Sequence, residues 1–132
     1  MGKRKSLSIS FFSFVLLFIS ACTSVDENAI STLEFKSLVE GNECIIVDVR
    51  TPDEFMEGHI IGAATIDLYS ETFEHRFRFM DTAQCMALYC ASGKRSAQAL
   101  HILETELGFT NLVHLKGGIN SREMEDYELV KN

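Results

Sequence analysis

The stretch MALYCASGKRSAQALHILETEL, residues 86–107, decides the fold. Met86 to Tyr89 form a short apolar run of the kind found in strands buried on both faces. The run passes directly into Cys90, and after a tight loop Ser96 to Leu107 reads as a helix. Leu100, Leu103 and Leu107 give that helix an apolar face, and Gly108 suits its C-cap.

Outward from this stretch, strand and helix signals alternate from residue 30 onward. Ser31 with Glu34 forms a capping box that Ile30 and Phe35 staple, and Gly41 suits the stop. Cys44 to Val49 is a second apolar run of strand type. Thr51-Pro52-Asp53-Glu54 repeats the capping pattern with proline at the first helical position, and Gly58 ends that short helix. Ala64 to Ile66 reads as a weaker strand, and Ser70 opens a segment with Phe73, Phe77 and Met80 at helical spacing. Leu112 to Leu115 is a further strand, followed by Gly117-Gly118 and a final helical segment. Such alternation predicts an α/β domain with a parallel sheet.

Composition narrows the function classes. The 132 residues fit one domain, and the formal charge of −7 argues against a nucleic-acid binder. Of 12 basic residues, Lys3, Arg4 and Lys5 fall in the first 21; the remaining nine face 19 acidic ones, a net of −10. Any anion site must therefore be built locally. His59, His75, His101 and His114 show no metal-ligand spacing and there is no CxxC pair, so neither a metal nor any other cofactor is expected.

The amino terminus reads as an export signal over residues 1–21. Lys3 to Lys5 form its basic region and Leu7 to Ile19 an apolar run too short for a membrane-spanning helix. The ending Ile19-Ser20-Ala21-Cys22 resembles the bacterial lipobox, which makes Cys22 the lipidated residue. Residues 22–29 are then a tether and 30–132 the folded domain. This places the protein in the bacterial cell envelope, lipid-anchored and facing the periplasm or exterior. Ordinary secretory cleavage, an uncleaved anchor, and a myristoylation pattern at Met1-Gly2 with Ser6 are the alternatives.

Cys90 stands where a strand ends and a helix begins, the place where ligands bind in open α/β sheets. Loop N–H groups there converge as an anion-binding nest, and the helix start adds its positive end. Lys94 and Arg95 add two cations, and Ser92 and Gly93 allow close backbone approach. Helix N-termini and neighbouring cations favour the thiolate over the thiol. Cys90 is therefore expected to be a nucleophile, against the plainer reading of a small buried hydrophobe.

The ordered set IIVDVRTPDEF (45–55), EGHIIGA (57–63), LYCASGKRSAQAL (88–100) and LVHLKGG (112–118) resembles the rhodanese family over about residues 30–120. The resemblance implies a rhodanese-like three-layer fold, a five-stranded parallel sheet flanked by helices. It makes Cys90 the catalytic cysteine and Cys90 to Arg95 the six-residue active-site loop. Ala91, Ser92, Gly93, Lys94, Arg95 and Ser96 bind substrate, with Lys94 and Arg95 orienting a donor's anionic oxygens. The implied reaction passes sulfane sulfur from a donor such as thiosulfate, through a Cys90 persulfide, to a thiol or cyanide. Its partners are a small-molecule or protein sulfur donor and a thiol acceptor, besides the membrane reached through Cys22. Asp48 and Arg50 become supports of the site, with direct donor contact as the alternative, and His59 a packed residue rather than a base.

Two positions depart from the family pattern. Arg122 stands where tryptophan is common, and Glu128 lies where a proline is often seen, so no donor preference is transferred. Phosphatases of related fold space the pair as Cys-x5-Arg, one residue longer than Cys90 to Arg95. A persulfide carrier or binding module without turnover is the main competing role. Cys44 and Cys85 lie at the starts of strands that are neighbours in the family sheet. They leave two readings open, a structural disulfide outside the cytoplasm or two buried free thiols.

Overall fold

The computed structural model of the chain describes residues 2–3 and 26–131. The expected signal segment and Cys22 lie outside the described residues, apart from Gly2 and Lys3. Five strands are present: β1 (Ala29–Ile30), β2 (Ile45–Asp48), β3 (Ala64–Thr65), β4 (Met86–Tyr89) and β5 (Leu112–Leu115). They form one parallel sheet in the order β1-β5-β4-β2-β3. The helices are α1 (Thr32–Gly41), α2 (Pro52–Glu57), α3 (Phe73–Phe77) and α4 (Lys94–Thr105). The five-stranded parallel sheet flanked by helices is the architecture that the resemblance implies.

Every residue of β4 is buried, because the strand lies at the centre with β2 and β5 beside it. Its side chains alternate between two cores. Met86, Leu88 and Cys90 pack with Phe73, Phe77, Leu100 and Leu103 on the α3 and α4 side. Ala87 and Tyr89 pack with Phe35, Leu115 and Met124 on the α1 side. Burying each such large apolar side chain contributes about 1.5–3 kcal/mol before chain entropy is counted.

Both expected capping boxes are present, Ser31 with Glu34 and Thr51 with Glu54. Ile30 and Phe35 meet in one core cluster, as the staple requires. Other boundaries differ. The helix after Cys90 begins at Lys94 rather than Ser96 and ends at Thr105, with Gly108 left-handed (φ 73°) just beyond. The final helical segment is a single 3₁₀ turn, Arg122–Met124. The tether over 22–29 is corrected at its carboxyl end: Ala29 pairs with His114 as part of β1, and Asp26 reaches His114 as well. Two residues carry too little periodicity to read as a strand, yet here the sheet edge recruits them.

Cys44 and Cys85 form a disulfide with Cα atoms 4.6 Å apart, directly before β2 and β4. Of the two readings left open, the structure contains the bridge. The Ile45 amide donates to the Cys85 carbonyl beside it at 2.9 Å, so the cross-link joins strands already paired. It spans 41 residues of sequence, and closing a loop of that size stabilises by roughly 4 kcal/mol in the chain-entropy account. Cys90 is the free cysteine among the described residues.

Candidate active site

The β4–α4 turn delivers Cys90 to the carboxyl end of the central strand. Gly93 caps α4 in the left-handed region (φ 90°), and its amide donates to Cys90 Sγ at 3.1 Å. The first-turn N–H groups of α4 have no acceptors within the helix, so they add positive potential at the same place. The loop carbonyls face the other way: Ile119 N–H donates to Cys90 O and Asn120 N–H to Ala91 O, both at 3.0 Å. One amide on the sulfur, with the Cys90 and Ala91 carbonyls bonded elsewhere, suits a nest for a negative sulfur.

Gly117 and Gly118 explain how that segment comes so close. A Cβ on Gly118 would collide with the Ala91 carbonyl, and one on Gly93 would lie 3.1 Å from the Gly117 amide. The two glycine positions are thus mutual clearances, one on each side of the loop.

The expected loop residues divide. Ser92 and Lys94 are exposed, Ala91 and Arg95 are half-buried, and Gly93 and Ser96 are buried. Ser96 does not face outward with the others. Its Oγ lies 3.6 Å from Cys90 Sγ and 3.2 Å from His114 Nδ1, behind the thiol. Cys90 itself has no exposed surface, which keeps bulk water from its sulfur.

Arg95 is not free to meet a donor as the sequence suggests. Its guanidinium makes a two-pronged bond to Glu54, Nη1 to Oε2 and Nη2 to Oε1, each 2.7 Å. The cationic excess of the loop is therefore carried by Lys94. The bonds from Arg95 pull the Glu54 carboxyl down to about 2; partial burial opposes this, and donation from Thr51 adds to it. An unfolded Glu54 takes its proton near 4.5, so the clamp stabilises the fold fully above that pH. The contribution is lost as pH falls from about 4.5 toward about 2. Thermal melting of Glu54→Gln is expected to show a flatter acid limb than the natural chain. Equal limbs would remove the clamp from the account.

Asp48 and Arg50 form a buried ion pair at the end of β2. Arg50 Nη2 bonds Asp48 Oδ2 and the Gly58 carbonyl, each at 2.7 Å, and its Nε lies 3.0 Å from both Asp48 oxygens. The guanidinium stacks over the Tyr89 ring, 5.7 Å from the centroid. The pair thus fixes the residue before Cys90 and the end of α2, through an ion pair and without a bond to the loop. His59 is buried, stacks on Phe55 with ring centroids 3.7 Å apart, and bonds the Phe55 carbonyl at 3.0 Å through Nδ1. It is a packed residue. Among the described residues, no group of three His, Cys, Asp or Glu side chains is placed to hold a metal ion.

Glu54, His114 and Asp26 were not legible as site residues. Glu54 reads locally as a capping residue, and its partner is 41 positions away. His114 did carry a signal: it shares the inward parity of Leu112 on a strand buried in the sheet.

A parallel α/β sheet with a loop-cradled cysteine at its central strand end defines a class of thiol-dependent transfer domains. Residues 31–124 match the model of the rhodanese-like domain, and the chain belongs to that family. It is 32% identical over 111 residues to the uncharacterized protein YqhL of Bacillus subtilis, covering 83% of this chain and 85% of that one. It is 31% identical over 71 residues to the thiosulfate sulfurtransferase PspE of Escherichia coli, covering 54% and 67% respectively. A rhodanese-like domain protein from Staphylococcus aureus superposes with a TM-score of 0.67 at 29% identity, over 80% of this chain and 98% of that one. Membership implies a general sulfurtransferase or rhodanese-domain role, with a sulfur donor and a thiol acceptor as partners.

Proposed function

We propose that this protein transfers sulfane sulfur from a donor such as thiosulfate to a thiol or cyanide through a persulfide on Cys90. The observation that carries the reading is the Gly93 amide on Cys90 Sγ, in a loop whose carbonyls are bonded away. The Cys90 thiolate attacks the outer sulfur of thiosulfate; the S–S bond breaks, and sulfite leaves with the electron pair. A nucleophilic acceptor then attacks the outer persulfide sulfur, and Cys90 departs as thiolate. In this reading exposed Lys94 orients the donor's oxygens, while Arg95, held by Glu54, shapes the loop wall.

The test is intact mass after thiosulfate treatment. The natural chain is expected to gain one sulfur atom and Cys90→Ser none; no gain on the natural chain sinks the reading. Burial of Cys90 and occupation of Arg95 favour one alternative, a persulfide carrier without turnover. Thiocyanate formation from thiosulfate and cyanide separates the two, since a carrier gains sulfur but does not cycle.

We also propose that the chain is exported and lipid-anchored through Cys22, in the cell envelope. Support comes from the Lys3–Lys5 cluster, the apolar run and the Cys44–Cys85 disulfide, which suits an oxidising compartment. Expression in a bacterial host fed a labelled fatty acid should label the natural chain and not Cys22→Ala. Equal labelling of both, or of neither, discards the anchor.

A further inference from the structure

Behind the thiol, polar side chains run in line from the core to the surface. Ser96 Oγ lies 3.6 Å from Cys90 Sγ, His114 Nδ1 lies 3.2 Å from Ser96 Oγ, and Asp26 Oδ2 lies 2.7 Å from His114 Nε2. Cys90 and Ser96 have no exposed surface and His114 is buried, whereas the Asp26 side chain is 45% exposed. Burying a hydroxyl and an imidazole inside an apolar core is costly unless they are bonded. Here each is bonded to the next, and the first touches the reacting sulfur.

The donor and acceptor order is fixed from the outer end. With the ring proton on Nε2, His114 donates to Asp26 Oδ2, and the bare Nδ1 of that tautomer is an acceptor. The Ser96 hydroxyl donates to that nitrogen, and its lone pairs then face the Cys90 S–H. The same hydroxyl lies 3.1 Å from the Gly93 carbonyl, a second acceptor within its reach.

We propose that Cys90, Ser96, His114 and Asp26 form a proton relay that draws the thiol proton to His114 and so sets the thiolate population of Cys90. This rests on the reading of Cys90 as the nucleophile. The Cys90 S–H bond breaks with its electron pair left on sulfur. The proton passes to Ser96 Oγ as the hydroxyl's own proton moves to His114 Nδ1. The products are a thiolate accepting from Ser96 O–H and an imidazolium donating to Ser96 and Asp26. No oxidant or other reactant is needed, and the reverse step restores the thiol. Ser96 touches the reacting sulfur; His114 and Asp26 act through it as positioning residues.

Charged and titratable groups stand around this chain on α4, with Glu54 of α2 beside them. Arg95 acts on Cys90 but is taken up by Glu54, and Lys94 is exposed at the mouth. His101 and Glu104 line the shallow surface groove that Asp26 also borders. None of these bonds to the four relay members. With Arg95 neutralised, the relay supplies a route to the thiolate that the loop cations alone do not.

The test follows thiolate absorbance of the full chain from mildly acidic to mildly alkaline pH, with the Cys90→Ser spectrum subtracted at each point. At neutral pH, Ser96→Ala and His114→Asn are expected to lower the thiolate fraction about tenfold. Asp26→Asn is expected to lower it roughly two- to fivefold, as a partly exposed charge partner. Should the buried substitutions fail to fold, Asp26→Asn decides alone, because its side chain lies at the surface. A thiolate profile in folded Asp26→Asn that superposes on the natural one overturns the relay. The two proposals separate cleanly: sulfur gain with unmoved thiolate profiles keeps the transferase and removes the relay. Shifted profiles without sulfur gain do the reverse.

Discussion

Arg50→Ala is expected to lower stability by about 3–5 kcal/mol, because it strands a buried carboxylate. Asp48 has no exposed surface, and Arg50 supplies the charge and three of the side-chain bonds that hold it. The same substitution frees the Gly58 carbonyl and removes the guanidinium from the Tyr89 ring. The first loosens the end of α2, and the second loosens the strand end that carries Cys90. Replacing both partners is expected to cost much less than the single change, since well-packed apolar groups in place of a buried pair are often neutral. Urea unfolding of Arg50→Ala beside the double variant Asp48→Leu/Arg50→Met measures this. A single-variant loss under about 1 kcal/mol would mean that Asp48 finds water or a proton instead.

The central architecture was legible because apolar residues dominate β2, β4 and β5, and a buried parallel strand needs no partner to be recognised. Both capping boxes were legible because they close within four residues. What escaped depends on distant chain. Ala29 and Ile30 become a strand only because β5 offers its edge to them. The helix α4 starts two residues before the Ser96 that the sequence suggests, with Lys94 and Arg95 at its positive end, where local electrostatics disfavours cations. Glu54 offsets one of the two from across the fold. That bond also changed the meaning of the loop: two apparent donor-binding cations became one exposed lysine and one structural arginine. No other histidine stands at ligand spacing from His114, whose chemistry here is with a hydroxyl and a carboxylate.

Gly118→Ala tests the geometry of the loop most sharply. Gly118 is left-handed (φ 69°), a conformation that costs an alanine about 1–2 kcal/mol. More is at stake than strain, because the added Cβ would meet the Ala91 carbonyl and come within 2.5 Å of the Ser92 amide, both backbone atoms. Nothing flexible is available to yield, so the 118–120 segment and the Cys90 loop must part. Parting them breaks the bonds from Ile119 to Cys90 and from Asn120 to Ala91, each worth about 1 kcal/mol net. The expected result is a loss of about 3–4 kcal/mol in stability. Persulfide formation should slow about a hundredfold, since displacement of a reacting atom by 1 Å carries a penalty of that order. Gly62→Ala is the matched control: it is equally left-handed at φ 76°, but an added Cβ meets nothing within 4 Å. That variant should show the strain cost alone and transfer sulfur at the natural rate. If Gly118→Ala behaves like Gly62→Ala in both melting and rate of sulfur gain, the loop does not depend on the glycine pair for its shape.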